Sequence, residues 1–226
     1  MLQNDIGLIA TLAFATLLPF LIAAGTCFIK FSIVFSLVRN AIGLQQVPSN
    51  LTIQAVALMM TAFIMMPIVN EAYSYSQEQQ TDFSNAESIN NFLNHGLGSY
   101  KAYLSKHTDP ELAGFFNDVY LKQIENRQPG SAGIGDAEAE GEVSIFALLP
   151  AYALSEIKSA FEIGFYVYLP FIVVDMVISN ILLSLGMMMM SPVTVSLPIK
   201  LILFVAVDGW TKLSQGLILQ YVDLWT

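Results

Sequence analysis

Apolar residues are gathered into four long segments of the chain, and most polar residues lie between them. The segments cover residues 6–38, 51–69, 144–190 and 201–219. The first carries no charge over its initial 24 residues, up to Ile29. As an α-helix this stretch would be about 36 Å long, enough to cross a hydrocarbon core of roughly 30 Å. The pattern predicts an all-α protein with four long apolar helical segments and a kink at Pro19.

Short polar breaks pair these segments into hairpins on either side of a longer polar insert. We predict a first hydrophobic helical hairpin, an acidic helical insert and a second hydrophobic helical hairpin over residues 1–70, 71–143 and 144–226. In the insert, apolar residues recur every three or four positions from Ile89 to Leu104, which indicates an amphipathic helix. A second helix is expected near Thr108, because Glu111 three residues later completes a capping box. Residues 128–142, rich in Gly, Ala and acidic residues, predict a disordered loop.

The composition is that of a membrane protein. Hydrophobic residues make up 55% and charged residues 12% of the 226 residues, against about 25% charged residues in soluble domains. The net charge of −9 resides mainly in the insert, where residues 71–142 hold twelve acidic and four basic residues. This distribution leaves no basic patch for nucleic acid. The single cysteine, Cys27, excludes an intrachain disulfide.

Residues able to carry chemistry are few. His95 and His107 both belong to the insert and are interpreted as surface side chains. Ser155 and Lys158 have the spacing found in some serine hydrolases, but this short pattern often arises by chance and its companion motifs are missing from the sequence. The sequence also lacks a phosphate-binding loop and a metal-binding motif. We therefore expect no enzyme activity, no cofactor and no metal site.

Ionisable residues within the apolar segments or directly beside them are more informative. They are Lys30, Arg39, Glu156, Lys158, Glu162, Asp175, Lys200, Asp208 and Lys212. One charge in lipid costs roughly 2.5–3.5 kcal/mol, so Asp208 and Lys212 together would add about 5–7 kcal/mol to the fourth segment. Their four-residue spacing allows them to pair, as it does for Lys158 and Glu162. We predict that these ionisable residues make polar contacts between helices or subunits, and that protein encloses the fourth helix.

A second interpretation starts from the fact that ionisable residues at membrane depth often mark ion paths. Asp175 and Asp208 would then belong to an ion-coupled membrane transporter or channel subunit. Such proteins usually contain repeated halves and more spans, and the sequence shows no inverted repeat, which favours the structural interpretation. If all four segments span, Arg39 and Lys200 put the two short connections in the cytoplasm and the acidic insert outside it.

Four consecutive methionines separate the third segment from the fourth, within a loop predicted over residues 186–192. The methionines are Met187, Met188, Met189 and Met190, and the residues expected to open the helix on either side are Gly186 and Pro192. Adjacent helical residues point about 100° apart, so four in a row cannot all enter one core. Methionine is flexible and polarizable. We interpret the loop as a deformable seal in a protein passage; the plainer alternative is a helix end in lipid or core.

Two blocks of sequence resemble a known family. GTCFIKFSIVF at 25–35 and RNAIGLQQVPSN at 39–50 are similar to the first conserved block of the FliP/SctR family of type III secretion export-apparatus proteins. LPAYALSEIK at 149–158 resembles the start of the second block, which continues with LPF at 169–171, Asp175, residues 186–192 and FVAVDGW at 204–210. The resemblance covers nearly everything outside the insert and is closer to the injectisome branch than to the flagellar branch.

The resemblance implies a core subunit of the type III secretion export gate, which passes unfolded substrates out of the cytoplasm. Members of the family assemble side by side into a pentameric ring in the bacterial inner membrane, within the basal body of the secretion system. The implied partners are SctS-like and SctT-like subunits, other export-apparatus and basal-body proteins, secreted substrates and the membrane. In the family the methionine loop is a gasket that narrows the pore, a role that would fall here to Met187–Met190.

Overall fold

The computed structural model describes residues 19–78, 96–125, 143–187 and 189–222, together with Leu12, Thr16 and Phe92. In this part of the chain all regular secondary structure is helical, which confirms the all-α prediction. The helices are α1 (Pro19–Gly25), α2 (Phe28–Ile42), α3 (Asn50–Glu78), α4 (Gly98–His107), α5 (Pro110–Glu125), α6 (Ile145–Ser184), α7 (Pro192–Ala206) and α8 (Gly209–Val222).

Two of the four apolar segments are interrupted. The first is broken at Thr26 and Cys27, between α1 and α2, and the fourth at Val207 and Asp208, between α7 and α8. The second and third segments form the long helices α3 and α6, of 29 and 40 residues. The break in the first segment lies well beyond Pro19, the residue expected to kink it.

The insert contains helices α4 and α5. Of the amphipathic helix predicted over residues 89–104, the structure describes α4 and a short stretch before it, and the predicted loop over 128–142 lies outside the described residues. Helix α5 begins near the expected position, but the predicted capping box is wrong. The Thr108 hydroxyl donates back to Leu104 O at 2.6 Å, and the Glu111 amide instead donates to the carboxylate of Asp109 at 3.0 Å.

The helices belong to two compact units. One unit contains α1, α4 and α5, with α3 from Met65 onward and α6 up to Glu156. The other contains α2 from Lys30 onward, α7 and α8, with α3 up to Ile64 and α6 from Ile157. The division predicted at residues 70 and 144 groups residues by hydrophobicity, whereas these units group residues by contact.

Aromatic rings on α2 pack against α8 in the second unit. Phe31 meets Tyr221 edge-on with ring centroids 5.8 Å apart, and Phe35 meets Trp210 at 6.0 Å. Edge-to-face pairs of this kind contribute about 0.5–1.5 kcal/mol beyond the burial of their area. Because these contacts lie on one face of α2, they hold α8, the second half of the fourth segment, against α2, which belongs to the first segment.

Helices α3 and α6 are long and apolar enough to cross a membrane, and up to four spans result if α1 with α2 and α7 with α8 each count as one bent span. Length and composition alone support this count. Many large apolar side chains on these helices are exposed, Phe63 on α3 and Phe165 on α6 among them. Covering one such side chain is worth about 1.5–3 kcal/mol, so these faces favour contact with lipid or other protein chains.

Candidate functional site

The methionine loop begins at a glycine with left-handed backbone geometry. Gly186 has a φ of +73°, which glycine adopts without the steric cost that a Cβ would bring. Its amide donates to Leu183 O at 3.1 Å, and the amide of Met187 donates to Leu182 O at 2.9 Å. These two bonds form a Schellman motif, which satisfies carbonyl groups at a helix end. Helix α6 therefore ends before the methionines.

The loop closes at a proline. Pro192 is the first residue of α7, a position where the missing amide hydrogen costs nothing. Between the two ends, the amide of Met190 donates to Met187 O at 3.2 Å and makes a turn. The described methionines, Met187, Met189 and Met190, thus lie between Gly186 and Pro192 and outside both helices.

The described methionines of the loop differ in their surroundings. Met189 is fully exposed, whereas 41% of Met187 and 44% of Met190 is exposed, and Met188 lies outside the described residues. A shallow recess of about 190 Å³ adjoins the last two turns of α6. It is lined by Ser179, Leu182, Leu183, Met187, Met190 and Pro192. The described methionines of the loop therefore place flexible apolar side chains on the protein surface and not in a core.

An ion pair joins the two helices that flank the loop. Lys200 Nζ on α7 is 2.6 Å from Asp175 Oδ2 on α6, and the side chains are 6% and 36% exposed, respectively. The hydroxyl of Ser196 donates to the other carboxylate oxygen of Asp175 at 2.6 Å, and Lys200 Nζ also donates to Ala41 O at the end of α2 at 3.3 Å. These bonds fasten the first turns of α7 to both α6 and α2.

The sequence singled out Asp175 and Lys200 but not their partner Ser196. Ser196 precedes Lys200 by four residues, so both lie on the same face of α7. The signal available in the sequence was a serine one helical turn before the lysine. Helix α6 also packs closely against α2. A Cβ on Gly164 would meet Leu37, and Phe171 is buried.

The two basic residues of α2 make different contacts. Lys30 is 5% exposed, and its ammonium lies 4.8 Å above the ring of Tyr221 and 3.5 Å from Gln220 Oε1. A cation over an aromatic face is stabilised by the ring quadrupole, more strongly when water is excluded. Arg39 Nη1 donates to Pro48 O at 3.1 Å and to Asn50 Oδ1 at 2.6 Å. Lys30 thus joins α2 to α8, and Arg39 joins α2 to the start of α3.

The ionisable residues at the start of α6 divide by exposure. Glu156 is buried, at 1% exposed, whereas Lys158 and Glu162 are exposed. Glu156 acts electrostatically on Tyr103 of α4. Burial raises the pKa of the Tyr103 hydroxyl, and the nearby Cys27 and Glu156 raise it further, against the opposing hydrogen bond from Tyr152.

Asp208 and Lys212 do not form the ion pair that their spacing allows. Both residues are described and exposed, and the structure places no ion pair between them. Asp208 has a φ of +54° at the break between α7 and α8. Its carboxylate accepts a hydrogen bond from the Thr211 hydroxyl at 2.9 Å. Because the helix is interrupted at Asp208, the four-residue spacing no longer puts the two side chains on one helical face.

Residues 11–217 match the FliP family. The chain is 59% identical over 223 residues to "Surface presentation of antigens protein SpaP" of Salmonella typhi, covering 99% of both chains. It is 44% identical over 220 residues to "Yop proteins translocation protein R" of Yersinia pestis, covering 97% of this chain and 98% of the relative. It is also 36% identical over 210 residues to "Harpin secretion protein HrcR" of Erwinia amylovora, covering 92% of each chain.

The apolar helices and these relatives together define a class, the membrane-embedded components of type III secretion export apparatus. Within this class, the chain belongs to the FliP family. Its relatives put it in the FliP/SctR injectisome branch, in agreement with the resemblance in the two sequence blocks.

Proposed function

We propose that the chain is a core subunit of the export gate and helps to form the pore through which unfolded substrates leave the cytoplasm. In this proposal residues 186–192 are the deformable seal of that pore. The observation that carries it is the exposure of Met187, Met189 and Met190 on a chain reversal that begins with a Schellman motif. A helix end packed into the core of this chain would bury such large apolar side chains.

The physical mechanism is apolar closure. A constriction lined by apolar side chains opposes the passage of water and ions, because hydration is lost there without compensation. Methionine has an unbranched side chain with three rotatable bonds, so it can reshape around substrate side chains of different size. The seal therefore needs no energy source and no catalytic step, and we propose that the subunit is not an enzyme.

The two ends of the loop suit this role in different ways. The start of α7 is anchored by Asp175 and by Lys200, which also bonds to α2. At the other end, nothing lies within 4 Å of a Cβ placed on Gly186. An anchored end keeps the loop at one place, and an uncrowded end lets it move when a substrate enters.

The wider arrangement follows from the same proposal. The subunit forms a pentameric ring with SctS-like and SctT-like partners in the bacterial inner membrane, with the acidic insert on the periplasmic side. Exposed apolar faces on α3 and α6 offer surfaces for neighbouring subunits and lipid. The contacts of Asp175 and Asp208 do not favour the ion-coupled alternative, because one is paired with Lys200 and the other bonds to Thr211.

Replacement of Met187–Met190 by four glycines tests the seal, with replacement by four leucines as the matched control. Both variants are purified as assembled complexes, and ion conductance is measured in planar bilayers. We expect the glycine complex to assemble but to leak ions, because the apolar constriction is gone, and the leucine complex to stay tight. If the glycine complex is as ion-tight as the leucine complex, the methionine loop is not the seal.

A further inference from the structure

The break in the first apolar segment lacks a sufficient local cause. Sharp interruptions of helices usually occur at proline or at pairs of glycine and serine; this break has neither, although Gly25 directly precedes Thr26 and Cys27. The Thr26 hydroxyl accepts a bond from the Phe28 amide at 3.3 Å, which caps the start of α2, and donates to Ile22 O at 2.5 Å, a carbonyl of α1. These two bonds serve one amide and one carbonyl, whereas each helix end leaves up to four such groups without an intrahelical partner. Local chemistry alone therefore offsets only part of the cost of the break.

A tyrosine of the insert supplies an additional contact at this point. The hydroxyl of Tyr100 on α4 donates to Gly25 O at 2.8 Å, a carbonyl at the end of α1. Helix ends leave such carbonyl groups without an intrahelical partner, so the hydroxyl satisfies a need that exists only when the helix is broken. Burial raises the pKa of Tyr100 to about 12, so the hydroxyl remains a donor at physiological pH.

The fit between Tyr100 and Gly25 is close. A Cβ on residue 25 would collide with the Tyr100 hydroxyl, whereas the next group, Leu149 Cδ2, would be at an ordinary 3.4 Å. One turn further along α4, the fully buried Tyr103 interacts with Cys27 and shares a hydrogen bond of 2.5 Å with the hydroxyl of Tyr152. Successive turns of α4 thus contact the residues on both sides of Thr26.

We propose that Tyr100 and Tyr103 form a clamp, the α4 clamp, that holds the first apolar segment broken at residues 26–27. Tyr100 is the positioning residue, because its hydroxyl bonds to the end of α1 itself. When α4 is undocked, the helix continues through residues 26–27. The first segment is therefore a two-state element whose state is set by the docking of the insert, a role separate from the proposed seal.

Cys27 provides a native reporter for this equilibrium. It is the single cysteine of the chain and is fully buried at the break, so opening of the clamp exposes its thiol. The rate of maleimide labelling is measured on the full-length protein in its assembled complex. We expect Tyr100→Phe to label roughly twofold to tenfold faster, the effect of losing one hydrogen bond. Tyr166→Phe, which alters an exposed tyrosine on α6, should label at the original rate.

A second pair of variants separates the clamp from general loss of stability. Gly25→Ala pushes a methyl group against the Tyr100 hydroxyl and should also accelerate labelling. In the double variant Gly25→Ala with Tyr100→Phe, the added methyl group occupies the space of the missing oxygen. The acceleration of labelling in the double variant should therefore be smaller than the product of the accelerations in the two single variants. Complex yield, measured by co-purification, should stay constant in all variants.

Three outcomes would overturn the proposal. The first is labelling of Tyr100→Phe at the original rate. The second is a double variant whose acceleration equals the product of the two single effects, which would mean that the residues act independently. The third is faster labelling accompanied by a matching loss of complex, which would indicate general unfolding.

Discussion

Replacing Asp175 by Asn tests whether the ion pair between α6 and α7, the helices that flank the methionine loop, anchors α7. The change removes the charge that faces Lys200 but keeps an oxygen able to accept the bond from Ser196. The lysine side chain is 6% exposed and the aspartate side chain 36% exposed, so the ammonium is the group left without a counter-ion. Breaking a fully buried pair costs about 3–5 kcal/mol and an exposed pair below about 1 kcal/mol. We expect an intermediate loss of about 2 kcal/mol in the free energy of unfolding.

A double-mutant cycle isolates the interaction. Asp175→Asn, Lys200→Met and the double variant are compared by thermal denaturation of the purified complex, with Asp118→Asn on the exposed face of α5 as control. The double variant should recover most of the loss, because neutral replacements on both sides leave no buried charge unpaired. Secretion should fall only in proportion to the amount of assembled complex.

Two results would refute this reasoning. If Asp175→Asn melts like Asp118→Asn and the double variant is no more stable than Lys200→Met, the pair does not anchor α7. If secretion is abolished while assembly and melting are unchanged, the carboxylate acts in transport itself, and the ion-coupled alternative gains support.

Three further predictions concern the backbone geometry at two glycines, the hydrogen bond between Asp208 and Thr211, and the titration of Tyr100. Gly186→Ala, at a φ of +73°, should destabilise the complex by about 1 kcal/mol, whereas Gly216→Ala inside α8 should stabilise it by about 0.5–1 kcal/mol, both measured by thermal melting. Asp208→Ala removes the acceptor for Thr211 and should cost about 1 kcal/mol; an unchanged melting curve would contradict the assigned role. Burial raises the pKa of Tyr100 from 10.0 to about 12, so its contribution to stability is complete below pH 10 and is lost as the pH rises toward 12. The difference in alkaline unfolding between the original protein and Tyr100→Phe measures this loss.

Much of the fold and part of the site could be predicted from sequence, because they depend on residues and their near neighbours. Apolar runs of sufficient length form helices, and the acidic composition of the insert separates it from them. The ends of the methionine loop are equally local, since Gly186 permits a left-handed conformation and Pro192 suits the first position of a helix. The predicted cap at Thr108 failed because its hydroxyl had a closer acceptor in the preceding helix.

The helix breaks and the pairing of charges required the tertiary structure. Tyr100 is 75 residues from Gly25, and Lys200 is 25 residues from Asp175. Neither contact can therefore be predicted from the local spacing of apolar and polar residues. The spacing of Asp208 and Lys212 would allow pairing along a continuous helix, and the break at Asp208 removes that geometry.

The sequence by itself determined which segments are apolar, where the backbone must turn before and after the methionines, and to which family the chain belongs. These properties depend on residue identity and order alone. Only the tertiary structure decided where the first and fourth segments break and which buried charge meets which partner. Those outcomes depend on which helices come into contact, and residues distant in the chain supply the hydrogen bonds that settle them.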